Sequence, residues 1–201
     1  MTSVPNVLAI NGSYREDGIT DHAVEAALAA AADAGAEIEH IRLRNYPIEF
    51  CLNCRACTQK PGDAPGECVH DDRMSELVQK IEKADAYVLA APTNYGSATA
   101  IFKRFMERLT VYAYWPWGAL APVYRKAKGP QKKVLMLSSS AAPGIFGRFL
   151  YKSRSQLKLA ARAIGAKPIG TVFTGMISST ADAPLPDHQR DKIKSMASEL
   201  V

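Results

Sequence analysis

The chain has 201 residues, 47% hydrophobic and 22% charged, so it can bury a full-sized core, and its length suits one domain spanning 1–201 with long loops. The formal charge of +5, from 25 Lys+Arg against 20 Asp+Glu, is mild. It favours a small anionic ligand, while the absence of a basic stripe or module signature argues against nucleic acid as a partner. No apolar run reaches the roughly 18 to 20 residues of a membrane span, and "MTSVPNVLAI" lacks a signal-like n-region, so the expectation is a cytoplasmic protein with no membrane partner.

In chain order, "NVLAI" (6–10) reads as a strand buried on both faces, and Val24, Ala27, Leu28 and Ala31 then fall at helical spacing, with Thr20 or Asp21 as cap and Gly35 as stop. "IEHIRL" (38–43) alternates polar and apolar residues and suits an edge strand. The connection 44–71 is unusually long. Asp71 or Asp72 then caps a helix carrying Met74, Leu77, Val78 and Ile81. "AYVLAA" (86–91) is a second buried strand, and Ser97 starts a helix with Ile101, Phe102, Phe105, Met106 and Leu109 on one face. Lys103 and Glu107 on that helix read as a surface pair, and neither Lys103 nor Arg108 is given a catalytic role.

A second long connection, 112–131, holds both tryptophans and is too apolar for a free linker. It reads either as a lid packed on its own sheet or as a contact between subunits. It runs into the basic stretch "YRKAKGPQKK" (124–133), which reads as a solvated connection. "VLMLSS" (134–139), a helix with Leu157, Ala160, Ala161 and Ile164 ending at Gly165, "PIGTVFTG" (168–175), and a last helix with Ile193, Met196, Ala197 and Leu200 complete the pattern. Strict strand–helix alternation with right-handed crossovers predicts an α/β three-layer sandwich: a five-stranded parallel sheet of order 2-1-3-4-5, flavodoxin-like, with helices on both faces.

In such a sheet a ligand sits beyond the carboxyl ends of strands 1 and 3. Strand 1 leaves as "NGSYREDGIT" (11–20), where Gly12 and Gly18 permit tight turns. Ser13 and Thr20 offer hydroxyls, Arg15 offers a forked donor, and a helix N-terminus follows. This is neither G-x-G-x-x-G nor a Walker loop, and it suits a single phosphate. Strand 3 leaves as "APTNYGSATAIFKRFMER" (91–108) and strand 4 as "SSSAAPG" (138–144), so three loops can line a slot for a flat heterocycle.

These loops, in this order, resemble those of the NADPH-dependent FMN reductase group of flavodoxin-like proteins, which includes the iron-sulfur flavoproteins; the likeness covers about residues 5–175. It implies that Ser13, Arg15, Ile19 and Thr20 hold the phosphate and ribityl chain of FMN. Pro92, Thr93, Asn94, Tyr95 and Gly96 would line the isoalloxazine, and Ser139, Ser140 and Ala141 would close it. Ile19, where the group often has a small polar residue, and Asn94 are departures from its pattern. The resemblance further implies hydride transfer from NAD(P)H to flavin N5 and on to a small-molecule acceptor such as a quinone, another flavin or an electrophilic aromatic, in a homodimer or homotetramer. An electron carrier between protein partners is the alternative, although such carriers are typically acidic, and a flavin sensor without turnover also stays open.

All four cysteines lie in "CLNCRACTQKPGDAPGEC" (51–68). Cys51, Cys54, Cys57 and Cys68 resemble the cysteine motif of iron-sulfur flavoproteins, but ten residues separate the third from the fourth, a longer gap than the resemblance leads one to expect. Unligated thiols are favoured over an iron-sulfur cluster, and a cluster over zinc, because a second C-x2-C knuckle is missing. The four histidines, at 22, 40, 70 and 188, show no metal or triad spacing.

Overall fold

The computed structural model describes residues 4–143, 151–176 and 183–201. Its strands are β1 (Asn6–Asn11), β2 (Glu37–Arg42), β3 (Ala86–Ala90), β4 (Thr93–Asn94), β5 (Ser97–Ala98), β6 (Ala113–Tyr114), β7 (Val123–Tyr124), β8 (Lys132–Ser139) and β9 (Ala166–Thr174). The helices among the described residues are α1 (Ile19–Asp33), α2 (Met74–Lys83), α3 (Ala100–Arg108), α4 (Ser153–Ala163) and α5 (Asp187–Ala197), with short 3-10 turns between. β2, β1, β3, β8 and β9 form one parallel sheet in that order, which is the expected 2-1-3-4-5 arrangement. Two antiparallel ribbons, β4–β5 and β6–β7, stand outside it.

The period-two alternation of the central strands sends neighbouring side chains to opposite layers. Leu8, Ile10, Tyr87, Leu89, Val134 and Met136 pack with α2, α3 and α4. Val7, Ala9, Val88, Ala90, Leu135 and Leu137 pack with α1 and α5. The second layer is rich in small residues, with Ala23, Ala27, Ala30 and Ala31 of α1 and Ala9, Ala86 and Ala90 of the sheet in one cluster, anchored from α1 by Val24 and Leu28. The first layer is heavier: Phe102 and Phe105 meet edge to face, with ring centroids 5.7 Å apart. β2 is the half-exposed edge strand that its alternation predicts.

The edge strand β9 tolerates Pro168 at a bulge, where Pro168 pairs with Val134 and Gly170 with Leu135. A Cβ on Gly170 would fall 1.7 Å from Met196 Cε of α5, so the end of the methionine would have to move aside. Gly35 and Gly165 follow α1 and α4 with φ of +97° and +74°, the left-handed stop expected of them. No helix among the described residues is long and apolar enough to cross a membrane.

Candidate functional site

β1, β3 and β8 end side by side, and the loop 11–20 crosses over the start of α3. Gly12 N–H donates to Ala90 O at 2.8 Å, and Thr99 Oγ1 donates to Gly12 O at 2.5 Å. A Cβ on Gly12 would lie 2.7 Å from Phe102 Cβ, so only glycine lets the loop pass this close to the helix. Thr99 also accepts from Phe102 N–H and caps α3. The cap is two residues later than the expected Ser97, because Ser97 is held in the β4–β5 ribbon and hydrogen-bonds Gln156.

α1 starts at Ile19 with Gly18 as its N-cap residue, so no side chain caps it, and the expected caps Thr20 and Asp21 fall inside the first turn. Thr20 Oγ1 lies 3.1 Å from Ser139 Oγ and joins the first loop to the end of β8. Asp21 faces away from solvent and accepts from Asn11 Nδ2 at 2.5 Å and from both terminal nitrogens of Arg44, at 3.1 and 2.9 Å. Burial alone would raise the Asp21 pKa, but the Arg44 and Asn11 hydrogen bonds outweigh it and hold the carboxyl below its usual range.

The β4–β5 ribbon turns through Tyr95 and Gly96, both left-handed, with φ of +49° and +73°. Two consecutive positive φ values are the geometry of a tight hairpin, which glycine adopts freely and tyrosine does not. The Tyr95 side chain is fully solvent-exposed. Gly96 O accepts from Lys152 N–H, tying the turn to the start of α4. Thr93 faces inward instead, with Oγ1 2.8 Å from Ser153 Oγ.

Together these loops enclose a cavity of about 250 Å3 at the carboxyl ends of the strands. Of the residues expected there, Ser13, Arg15, Ile19, Thr20, Pro92, Asn94 and Ser139 line it. Thr93, Tyr95, Gly96, Ser140 and Ala141 do not: Thr93 turns into a buried hydroxyl group with Ser138 and Ser153, Tyr95 projects outward, and Ser140 donates to Ala142 O. Gly144, the end of the third predicted loop, lies outside the described residues. Gly18, expected to permit a tight turn, lines the cavity too, and Tyr14, Asp17, Thr99 and Ala183 join it without having been singled out. Tyr14, Asp17 and Thr99 sit in the quoted loops, but Ala183 has no local signal. The floor (Ser13, Gly18, Thr20, Thr99, Ser139) is buried, whereas Tyr14, Arg15, Asp17 and Asn94 form an exposed rim.

The two long connections pack on each other. Arg125, buried, donates to the carbonyls of Val111, Gly62, Cys57 and Lys60, and Gly66 N–H donates to Val111 O. The Arg55 guanidinium sits 3.7 Å from the Trp115 ring centre and 4.3 Å from that of Trp117. The tryptophan loop therefore covers the cysteine loop of its own chain. Arg108, read from sequence without a buried role, is almost wholly inaccessible: it pairs with Asp72, donates to Glu49 O and reaches Cys68 Sγ at 3.5 Å.

The thiols share one neighbourhood. Burial first, then Cys68, Cys51 and Cys54, push the Cys57 thiol up to about 11, so it is protonated at neutral pH. Among the described residues no three His, Cys, Asp or Glu side chains converge as a metal site.

The family model described as "NADPH-dependent FMN reductase" matches residues 5–177. An iron-sulfur flavoprotein of Archaeoglobus fulgidus is 32% identical over 130 residues, covering 62% of this chain and 57% of that protein. A second, from Methanocaldococcus jannaschii, is 33% identical over 102 residues, 51% of this chain and 50% of its own length. The matches thus span about half the length of these relatives. Among solved structures, an NAD(P)H:quinone oxidoreductase from Methanothermobacter marburgensis superposes with a TM-score of 0.70 at 17% identity, covering 99% of this chain and 100% of that one. An FMN-dependent NADH-azoreductase from Bacillus anthracis, solved with FMN, gives 0.71 at 16% identity, over 97% of this chain and 99% of the other. At these identities the structural likeness establishes the flavodoxin-like fold.

Proposed function

We propose, for a chain that belongs to the NADPH-dependent FMN reductase family, that the cavity holds FMN and that the protein is an FMN-dependent NAD(P)H oxidoreductase passing electrons to a small-molecule acceptor. The observation that carries this reading is the uncapped start of α1 beside the cavity lined by Ser13, Arg15 and Thr20. First-turn N–H groups without a side-chain cap, two hydroxyls and a guanidinium are the donor set of a phosphomonoester cradle, so these residues fit the group. A pyrophosphate would need a second glycine-rich turn, which argues for FMN over FAD.

When bound, FMN supplies a two-electron centre at its N5 atom. The chain's part is to hold and shield it. Thr20, whose hydroxyl lies beside that of Ser139, can donate to a phosphate oxygen, and Ser13 can do so by releasing the Arg15 carbonyl to which its hydroxyl donates at 3.2 Å. Pro92 and Asn94 border the cavity on the β3 side, and the exposed rim leaves an open approach for NAD(P)H and then the acceptor. A single open approach implies ping-pong turnover. NAD(P)H oxidation with a quinone should give parallel double-reciprocal lines. FMN reduced by dithionite but by neither nicotinamide at millimolar concentration would sink the reductase reading and favour an electron carrier.

A second reading, an iron-sulfur flavoprotein, is favoured by the gathering of Cys51, Cys54 and Cys68 around Cys57 and by the names of the relatives. The unligated thiols are kept as the reading here, with no step routed through a cluster. About four irons and four sulfides per chain after anaerobic purification, lost in Cys54→Ala, would reverse that choice.

A further inference from the structure

The groups behind the cavity wall are more tightly organised than those lining it. Asp21, in the first turn of α1, and Arg44, in the 3-10 turn after β2, form an ion pair whose side chains are 2% and 9% exposed. Neither lines the cavity, and neither does Asn11. Yet all three hold the loop that does. The Asp21 carboxylate also accepts from Asp17 N–H at 3.2 Å; Asn11, which donates to Asp21, accepts from Ser13 N–H at 2.9 Å. Arg44 Nη1 reaches the carbonyl oxygens of Ser13 and Arg15 at 3.4 and 3.3 Å. One buried pair thus fixes the loop at Asn11, Ser13, Arg15 and Asp17.

We propose that Asp21 and Arg44 are positioning residues that shape the loop 11–20 for a phosphomonoester, an inference that rests on the FMN reading above. A phosphate is repelled by any carbonyl oxygen turned toward it. Drawing the Ser13 and Arg15 carbonyls onto Arg44 removes that repulsion and leaves the Thr20 hydroxyl and the uncapped first turn of α1 to face the ligand. Asp21 is needed because Arg44 without it, with the exposed Glu16 at 3.9 Å and the exposed Asp17 as its other acidic neighbours, would be a poorly compensated buried cation free to turn toward the phosphate itself. The pair acts through geometry and not through charge.

That distinction sets the test. Asp21→Asn keeps the shape and leaves Arg44 positive, whereas Arg44→Gln leaves Asp21 negative. If the pair worked through its field, the first variant would tighten FMN and the second weaken it. Positioning predicts that both weaken FMN by about tenfold or more, the equivalent of one well-made hydrogen bond to a charged group. Riboflavin, which lacks the phosphate, should bind both variants as it binds the wild type. Fluorescence quenching of each flavin reads both affinities. Should a single variant fail to fold, the neutral double variant Asp21→Asn/Arg44→Gln replaces it, with the same expectation. Opposite shifts in the two variants, unchanged FMN affinity, or equal loss of FMN and riboflavin would overturn the proposal. Failure of the wild type to bind FMN at all would instead overturn the reading on which it rests.

Discussion

Arg108 and Asp72 meet in a buried two-point ion pair, with Nη1 2.6 Å from Oδ2 and Nη2 3.0 Å from Oδ1. Arg108 ends α3, the helix that follows the β4–β5 ribbon, and Asp72 lies just past the cysteine loop, where it also accepts from Glu49 and Met74 N–H. The pair therefore couples the wall of the candidate site to the thiol-bearing segment. Arg108→Met should destabilise the protein by about 2–4 kcal/mol, because the half-buried Asp72 would lose its cation and be left with the Glu49 and Met74 N–H groups. Urea unfolding measures this, and a loss under about 1 kcal/mol would show that the coupling is weak.

The same pair sets a pH dependence. Burial pushes the Asp72 pKa up, but the Arg108 hydrogen bonds and the Glu49 and Met74 amides outweigh it and bring the carboxyl from 3.8 down to about 2. A carboxyl depressed in the folded state contributes stability that is full above its unfolded pKa and is lost as pH falls toward the folded one. Wild-type stability should drop between about pH 4 and pH 2, and the slope in that window should be shallower in Asp72→Asn. Equal slopes in acid unfolding curves would remove Asp72 from the account of acid sensitivity.

Gly66 separates packing from backbone freedom. A Cβ there would lie 1.8 Å from Cys57 O, whereas one on Gly129 meets nothing within 4 Å. Gly66→Ala should cost about 1–3 kcal/mol by forcing the cysteine loop off Val111 and Arg125. Gly129→Ala should be neutral within about 0.5 kcal/mol. Thermal melts of the two variants decide, and equal melting temperatures would contradict the packing described.

Tyr95 holds a left-handed backbone with its ring wholly in solvent, which is a local cost with no packing return. Tyr95→Asn, which tolerates this conformation, should stabilise the fold by up to about 1 kcal/mol. It should also slow turnover, because Tyr95 directly follows the cavity-lining Asn94 and presents an exposed ring there, as Tyr14 does on the rim itself. A melt and a steady-state assay test both halves. A variant that is more stable and equally active would assign the strain no function.

The sheet was legible because its strands announce themselves locally: "NVLAI" and "AYVLAA" can only be buried on both faces, and the alternation of "IEHIRL" marks an edge. The loop 11–20 was legible because glycine, hydroxyl and arginine sit at the switch point that the topology defines. What escaped the sequence were partnerships between distant charges. Asp21 looked like a cap, Arg108 carried no signal of a role and Arg125 looked like part of a solvated run, yet each is fixed by groups 23, 36 and up to 68 residues away. No periodicity records such pairings, since they depend on how two loops fold over one another. The orientation of Thr93 likewise depends on Ser153 in a distant helix.

Titration of the apoprotein with FMN, FAD and riboflavin, in the wild type and in the Arg15→Ala/Thr20→Ala variant, tests the assignment of the cavity most directly. The wild type should take up FMN stoichiometrically and prefer it to FAD and riboflavin. The double variant should lose at least about tenfold in FMN affinity with its circular dichroism and melting temperature retained. Tighter binding of FAD than FMN, or FMN affinity unchanged in the double variant, would contradict the phosphate cradle at the start of α1.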